Sequence, residues 1–105
     1  MISRKNIEEI IQKIAENFFP VKIILFGSYA GGKPGPDSDM DLMIIMDTDL
    51  PKYKRAAQIR LLFNPTPCPM DILVYTPEEV EDWNGVTNHI VTEVMEKGEV
   101  VYEKK

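Results

Sequence analysis

The chain has 105 residues, of which 44% are hydrophobic and 28% are charged, as in one soluble globular domain. We therefore expect a single domain over residues 1–105, with no room for a second substrate-binding domain. The formal net charge of −5 argues against general nucleic-acid binding, which relies on clustered Lys and Arg. Cys68 is the only cysteine, and no apolar run reaches membrane length. These features favour a cytoplasmic protein without an internal disulfide or a membrane partner.

The first half of the chain predicts one helix and two buried strands. Four isoleucines recur at spacings of three and four residues, as on the buried face of a helix: Ile7, Ile10, Ile11 and Ile14. Ser3 or Asn6 can cap the start of this helix, and Pro20 ends it. The apolar runs at 21–26 and 39–46 predict strands, and a Gly- and Pro-rich loop separates them.

Helices and strands continue to alternate in the second half of the chain. The predicted elements are a helix over 51–63, a strand over 70–75, a helix from 77, a helix over 87–96 and a short closing strand over 99–102. Three prolines between the second helix and the third strand exclude regular structure there. The order predicts an α/β (α+β) fold, with a small mixed sheet of three to four strands flanked by helices. It does not give the strand order.

The helix that begins at Pro51 carries the nearest approach to a basic cluster. Its members are Lys52, Lys54, Arg55 and Arg60. Such runs are usually a solvated helix face, and the alternative is a docking patch for an acidic partner or for phosphate. Tyr53 and Leu61 are among the residues that share one face of this helix. The sequence leaves both interpretations of the cluster open.

Two acids, Asp39 and Asp41, open the second strand. Because side chains alternate along a strand, both carboxylates point to one face and Met40 points to the other. Two carboxylates this close repel each other, and a divalent cation removes the repulsion. Acids in this context are also common as caps and turn residues. The pair alone therefore leaves a metal site and a structural role open.

Asp71 opens the next apolar strand, where an acid is costly unless it has a partner. If this strand lies beside the previous one, three carboxylates meet at one end of the sheet, as a two-metal phosphoryl-transfer site requires. Gly27 breaks the first strand and permits close approach of a ligand. Ser28 forms an anion site with free backbone amides if a short helix starts there. A simple turn is the alternative for this Gly-Ser pair.

These residues resemble a known family. A Gly-Ser pair, ten further residues and then Asp-x-Asp at the start of a strand is the signature of the DNA polymerase β-like nucleotidyltransferase superfamily. The segments 25–30 and 37–42, Leu-Phe-Gly-Ser-Tyr-Ala and Asp-Ser-Asp-Met-Asp-Leu, look most like its minimal nucleotidyltransferases. These are small prokaryotic proteins, often encoded beside a HEPN-domain protein and serving as its antitoxin in some pairs. The likeness extends over essentially the whole chain.

The resemblance implies a role for each matching residue. Gly27 and Ser28 would hold the triphosphate tail of a nucleotide. Asp39 and Asp41 would bind two Mg²⁺ ions. Asp71 would complete the catalytic and metal-binding set and favour deprotonation of the attacking hydroxyl. Catalysis would then consist of positioning and charge neutralisation at the α-phosphorus, with pyrophosphate as the leaving group.

One position departs from the family pattern. Minimal members commonly carry an Arg within Ala-Arg-Gly, whereas this chain has Ala30-Gly31-Gly32. A positive charge that could touch phosphate is therefore missing there. Lys33 is the nearby candidate for nucleotide binding, and a solvated lysine in a flexible loop is its alternative role.

The leading hypothesis is a Mg²⁺-dependent enzyme that transfers a nucleotide, AMP from ATP, to a hydroxyl on a partner protein. The resemblance implies a HEPN-type toxin as this partner and a tyrosine as the acceptor. A second hypothesis is a catalytically weak binding module that neutralises a toxin by direct contact. A transferase acting on a small molecule such as an aminoglycoside is a third, disfavoured because such enzymes usually have an added domain. Homo-oligomerisation stays open.

Overall fold

A computed structural model of the chain describes residues 3–27, 30 and 39–104. The elements in chain order are α1 (Arg4–Phe18), β1 (Lys22–Phe26), β2 (Met40–Ile45), α2 (Lys52–Arg60), β3 (Met70–Tyr75), α3 (Pro77–Trp83), α4 (Ile90–Lys97) and β4 (Glu99–Glu103). The expected mixed sheet flanked by helices is confirmed. Within the described ranges, every helix is too short or too polar to cross a membrane.

Two helices have other bounds than the sequence pattern predicts. Pro51 is the N-cap of α2 and not part of its first turn, and the helix ends at Arg60 instead of 63. The last helix starts three residues later than expected. Asn88 has a positive φ of 64°, which interrupts helical geometry. His89 then caps α4, and its Nδ1 atom accepts a hydrogen bond from the Val91 amide at 3.1 Å.

The sheet has the strand order β3-β2-β1-β4. β1 is antiparallel to both β2 and β4, whereas β2 is parallel to β3. Consecutive parallel strands need a crossover connection, because both must start at the same end of the sheet. The segment that contains α2 makes this crossover. As a result, the first residues of β2 and β3 lie side by side at one edge.

Helices cover the two faces of the sheet. Met40, Leu42 and Ile44 on β2 belong to a core with α1 and Ile59 of α2. The alternate residue Met43 belongs to a second core with α4. Asp41 is two residues before Met43 on the same strand and therefore lies on the same face, the one covered by α4, beyond the end of that core. The alternation thus brings the acidic residues of the sheet to the side that α4 covers.

A partly buried ion pair fixes α2 to α3. The Arg55 side chain is only 10% exposed and donates from Nη1 to Glu79 Oε1 at 2.7 Å. Its Nε atom also donates to the carbonyl oxygen of Leu50 at 2.9 Å. The same Glu79 oxygen accepts from the Thr76 amide at 2.8 Å, which completes the cap of α3. Hydrogen bonding from Arg55 is the main cause that lowers the pKa of Glu79 below its usual value.

We expect replacement of either partner in this pair to destabilise the fold. Arg55→Gln or Glu79→Gln should lower the free energy of unfolding by about 1–2 kcal/mol, because a charge-assisted and largely buried hydrogen bond is lost. Urea denaturation at pH 7 measures the change. The matched control is Arg4→Gln, since the Arg4–Glu99 pair is equally short at 2.6 Å but its side chains are 57% and 41% exposed. That control should cost about 0.5 kcal/mol or less.

The pH dependence of stability separates these variants further. A lowered folded-state pKa stabilises the protein above the unfolded-state value, 4.5 for a glutamate, and this contribution is lost as the pH falls through the folded-state pKa. Between pH 6 and that acidic range, the wild type should therefore lose more stability than Glu79→Gln does. Equal acid sensitivity of the two proteins would contradict the assigned role of Glu79.

Candidate active site

The register of the parallel strands brings two of the predicted acids together. Asp41 on β2 pairs with Asp71 on β3, and on its other side it pairs with Phe26 of β1. Neighbouring strands lie about 4.8 Å apart, so residues in register on the same face have adjacent side chains. The carboxylates of Asp41 and Asp71 are therefore neighbours at the edge where both strands begin.

The electrostatics of Asp41 reflect this crowding. Asp41 is half-buried, and burial raises its pKa above the usual value. The charge of Asp71 raises this pKa further, followed by the charge of Asp39 and by a hydrogen bond with Asp71. The charges of Asp71 and Asp39 thus both act on Asp41. The repulsion among them is the feature that a divalent cation would relieve.

Asp39 precedes β2 and is exposed, whereas Asp41 and Asp71 lie within strands. Within residues 3–27, 30 and 39–104, the structure contains no group of three His, Cys, Asp or Glu side chains that could hold a metal ion as they stand. The side chain of Asp39 therefore has to turn towards Asp41 and Asp71 for one metal centre to contact all three. Binding of metal by these residues stays a prediction.

Gly27 makes room for the Asp41 side chain. It has a positive φ of 73°, a conformation that favours glycine. A Cβ atom at this position would overlap Oδ2 of Asp41. The close approach of Asp41 thus explains why glycine is required at this position. The sequence does not show this, because the pairing of β1 with β2 is known only from the structure. Ser28 and Lys33, the other predicted nucleotide-binding residues, lie outside the described residues.

A cavity of about 380 Å³ opens between the end of β1 and α4. Gly27 and Asp41 line one side of it, and Glu93 and Lys97 of α4 line the other. Glu93 and Lys97 are functional candidates that the sequence pattern does not indicate. They have no motif, and only the packing of α4 on the sheet places them near the acids. Lys97 is the one cation among the described lining residues.

A second cavity of about 660 Å³ opens on the α2 side of the same edge. Its lining includes Asp39, Arg60 at the end of α2, and the half-buried Cys68. Burial raises the pKa of the Cys68 thiol. The sequence assigns no site to Cys68 and leaves the role of the basic cluster with Arg60 open. The fold places both beside the first acid of the Asp-x-Asp motif.

The overlap at Gly27 leads to a testable comparison of two glycines. Gly27→Ala should destabilise the protein by about 2–4 kcal/mol, because it combines a strained left-handed backbone with displacement of the Asp41 carboxylate. The matched control is Gly85→Ala. Gly85 also has a positive φ, 97°, but nothing lies within 4 Å of the position of its Cβ. That variant should cost only the backbone strain, about 1 kcal/mol.

Thermal or urea unfolding of both variants measures the difference. A second substitution, Asp41→Ala, should recover part of the loss in Gly27→Ala and none of the loss in Gly85→Ala. Equal effects of the two glycine substitutions would show that the contact between Gly27 and Asp41 carries no energy.

Comparison with known proteins adds independent information. The family model of the nucleotidyltransferase domain matches residues 5–104. No curated protein matches the sequence.

Among solved structures, a candidate nucleotidyltransferase from Sulfolobus solfataricus is 18% identical and has a TM-score of 0.66, covering 95% of this chain and 79% of its own. A toxin–antitoxin structure with AMP-PNP is 20% identical, with a TM-score of 0.64, and covers 93% of this chain and 74% of its own. A mutant of the toxin–antitoxin MntA-HpeT is 18% identical, with a TM-score of 0.63, and covers 100% of this chain and 76% of its own. At such identities these likenesses show the fold, and the match of the family model over nearly the whole sequence shows that the chain belongs to the nucleotidyltransferase domain family.

Proposed function

We propose that this chain is a Mg²⁺-dependent nucleotidyltransferase that transfers AMP from ATP to a hydroxyl group of a partner protein. The observation that carries the proposal is the parallel register of Asp41 and Asp71 beside Gly27. This register places the carboxylates of Asp41 and Asp71 side by side, where they repel each other. Asp41 also lines the cavity whose opposite wall carries Lys97. Family membership supports the same reaction class.

The donor set fits hard divalent cations. Carboxylate oxygens are the ligands that Mg²⁺ takes from proteins, usually together with substrate phosphates. Asp39, Asp41 and Asp71 would hold two such ions, and the bound metal would neutralise the charge that develops on the phosphates. The raised pKa of Asp41 is consistent with a site that lacks a compensating positive charge among its described neighbours.

The residues of the chain position the substrates. The backbone at Gly27 and the hydroxyl of Ser28 hold the triphosphate tail, and Lys33 stays a predicted phosphate ligand. The acceptor oxygen attacks the α-phosphorus in line with the leaving group. A P–O bond to the acceptor forms, the bond between the α-phosphorus and its bridging oxygen breaks, and pyrophosphate leaves. Asp71 accepts the proton of the acceptor hydroxyl.

The acceptor that we propose is a tyrosine hydroxyl on a HEPN-type toxin, so that this cytoplasmic chain acts as an antitoxin. Two of the structurally similar proteins are toxin–antitoxin assemblies. The resemblance of the Gly-Ser and Asp-x-Asp segments to minimal nucleotidyltransferases supports the same partner.

A binding module without efficient catalysis is the second candidate function. It is favoured by the lack, among the described residues, of a ready group of three metal-ligating side chains, and by glycine where family members commonly carry arginine. The two functions differ in what they leave on the partner. An enzyme adds the mass of one nucleotide covalently, whereas a module that only masks a toxin forms a stoichiometric complex and adds no mass.

Calorimetry tests the nucleotide site directly. We expect wild-type protein to bind ATP only when Mg²⁺ is present, and Asp39→Asn/Asp41→Asn to bind it at least about 100-fold more weakly. The double variant should be at least as stable as wild type without metal, because the substitution removes repulsion between carboxylates. Asp47→Asn is the matched control, since this exposed acid lies beyond the other end of β2. Binding that survives in the double variant would exclude the proposed metal site.

Two substitutions on α4 should shift ATP affinity in opposite directions. Lys97→Gln should weaken Mg²⁺-dependent ATP binding about three- to tenfold, because its charge lies across the cavity from Gly27. Glu93→Gln should strengthen binding about two- to threefold by removing an anion from the same wall. Lys5→Gln on α1 is the control for the change in net charge. If both α4 variants match this control, the triphosphate does not occupy the cavity.

A further inference from the structure

We propose that the cavity beside Asp39 is the entrance for the acceptor, and that it takes a hydroxyl side chain flanked by carboxylates, with Arg60 as the residue that selects them. The inference rests on the proposed nucleotidyl transfer and adds the chemical class of its acceptor. The nucleotide is assigned to the cavity between Gly27 and Lys97, on the α4 side of the acidic edge. The cavity on the α2 side is thus left for the second substrate.

The lining of this cavity combines two opposite charges with an apolar wall. Asp39 is the one anion and Arg60 the one cation among its described lining residues, and Pro67, Pro69 and Met70 supply an apolar wall. Its volume of about 660 Å³ lies within the range of ligand-binding clefts. A side chain that enters along the apolar wall brings its hydroxyl to the Asp39 end. Its chain neighbours then pass near Arg60.

Arg60 is available for a carboxylate from outside the chain. It forms no ion pair with any residue in the described ranges, where the paired cations are Arg4, Lys22 and Arg55. A guanidinium group binds carboxylates in a planar, bidentate geometry. Asp39 does not neutralise it, since the two side chains line the same cavity without pairing. A carboxylate beside the acceptor hydroxyl is the ligand that this arrangement fits.

The surface next to the cavity favours a protein as the carrier of that hydroxyl. Tyr53 on α2 and Leu61, the C-cap residue of this helix, are 80% and 81% exposed, whereas Ile59 is buried. The helix has no acidic residue, although the chain as a whole has a net charge of −5. An acidic protein segment with apolar side chains complements this surface. Two copies of the helix would repel each other, which disfavours a second copy of this chain.

The experiment compares two short acceptors in the transfer reaction with Mg²⁺ and ATP. One is the amidated peptide Glu-Glu-Tyr-Glu-Glu with an acetylated N-terminus, and the other has Lys in place of every Glu. Wild type should use the acidic peptide with a kcat/KM about tenfold higher, measured as incorporated AMP by mass spectrometry. The net charge of the chain would by itself favour the basic peptide, so an acidic preference identifies a local cation. Arg60→Glu should reverse the preference, and the control Lys54→Gln should keep it.

A binding measurement without nucleotide separates the acceptor site from the transfer reaction. Cys68 lines the cavity and is the only cysteine, so its alkylation by iodoacetamide reports occupancy. The acidic peptide should slow alkylation several-fold in wild type and leave it unchanged in Arg60→Glu. Equal protection by both peptides, no protection by either, or an acidic preference that survives in Arg60→Glu would overturn the proposal. Stronger protection by a short oligoadenylate RNA would overturn it in favour of a nucleic-acid acceptor.

Calorimetry with Mg²⁺ and ATP completes the design. Arg60→Glu should bind ATP as wild type does, because Arg60 does not line the cavity that contains Gly27. If wild type binds no ATP, the proposed nucleotidyl transfer fails, and protection of Cys68 still decides whether the cavity binds acidic segments. If wild type binds ATP and Arg60→Glu changes neither peptide preference nor protection, only the acceptor assignment fails.

Discussion

The parallel pairing of β2 with β3 is the constraint on which the site depends. It sets Asp41 opposite Asp71, and antiparallel pairing with β1 brings Asp41 to the end of that strand beside Gly27. A shift by one residue would turn Asp41 from the α4 face to the α1 face and bury its carboxylate among isoleucines. The apolar residues that follow the acids hold this register, because Met43 and Leu42 are fully buried on opposite faces. The core of the protein therefore aligns the carboxylates.

The same arrangement explains where the fold needs reinforcement. The crossover between two parallel strands must return the chain to the starting edge, and α2 carries it there with a single fully buried residue, Ile59. The partly buried pair of Arg55 and Glu79 adds an anchor that also completes the cap of α3. One basic residue of the cluster on α2 is thus structural. Arg60, at the other end of the helix, forms no ion pair within the described ranges.

Much of the fold was predictable because its signals are local. Isoleucine spacing, the Thr-Pro cap of α3 and the apolar runs each depend on neighbours in sequence, and the strand over 70–75 has the expected bounds. The sequence indicates Asp39, Asp41 and Asp71 because each is an acid at the start of an apolar strand. Strand order and register were not predictable, since they depend on which distant segments pack together. For the same reason Lys97 gave no signal of a site, the basic cluster with Arg60 allowed a docking patch without locating a cavity, and the left-handed Asn88 concealed the start of α4.

Cavities on two sides of one acidic edge have a consequence for the order of events in a catalytic cycle. A nucleotide bound as proposed between Gly27 and Lys97 would not obstruct the opening beside Asp39 and Arg60. Both substrates could then be present at once, and neither product would have to depart before the second substrate arrives. The proposed transfer would proceed directly within a ternary complex. Steady-state kinetics should then give intersecting double-reciprocal lines, whereas a covalent nucleotidyl-enzyme intermediate would give parallel lines.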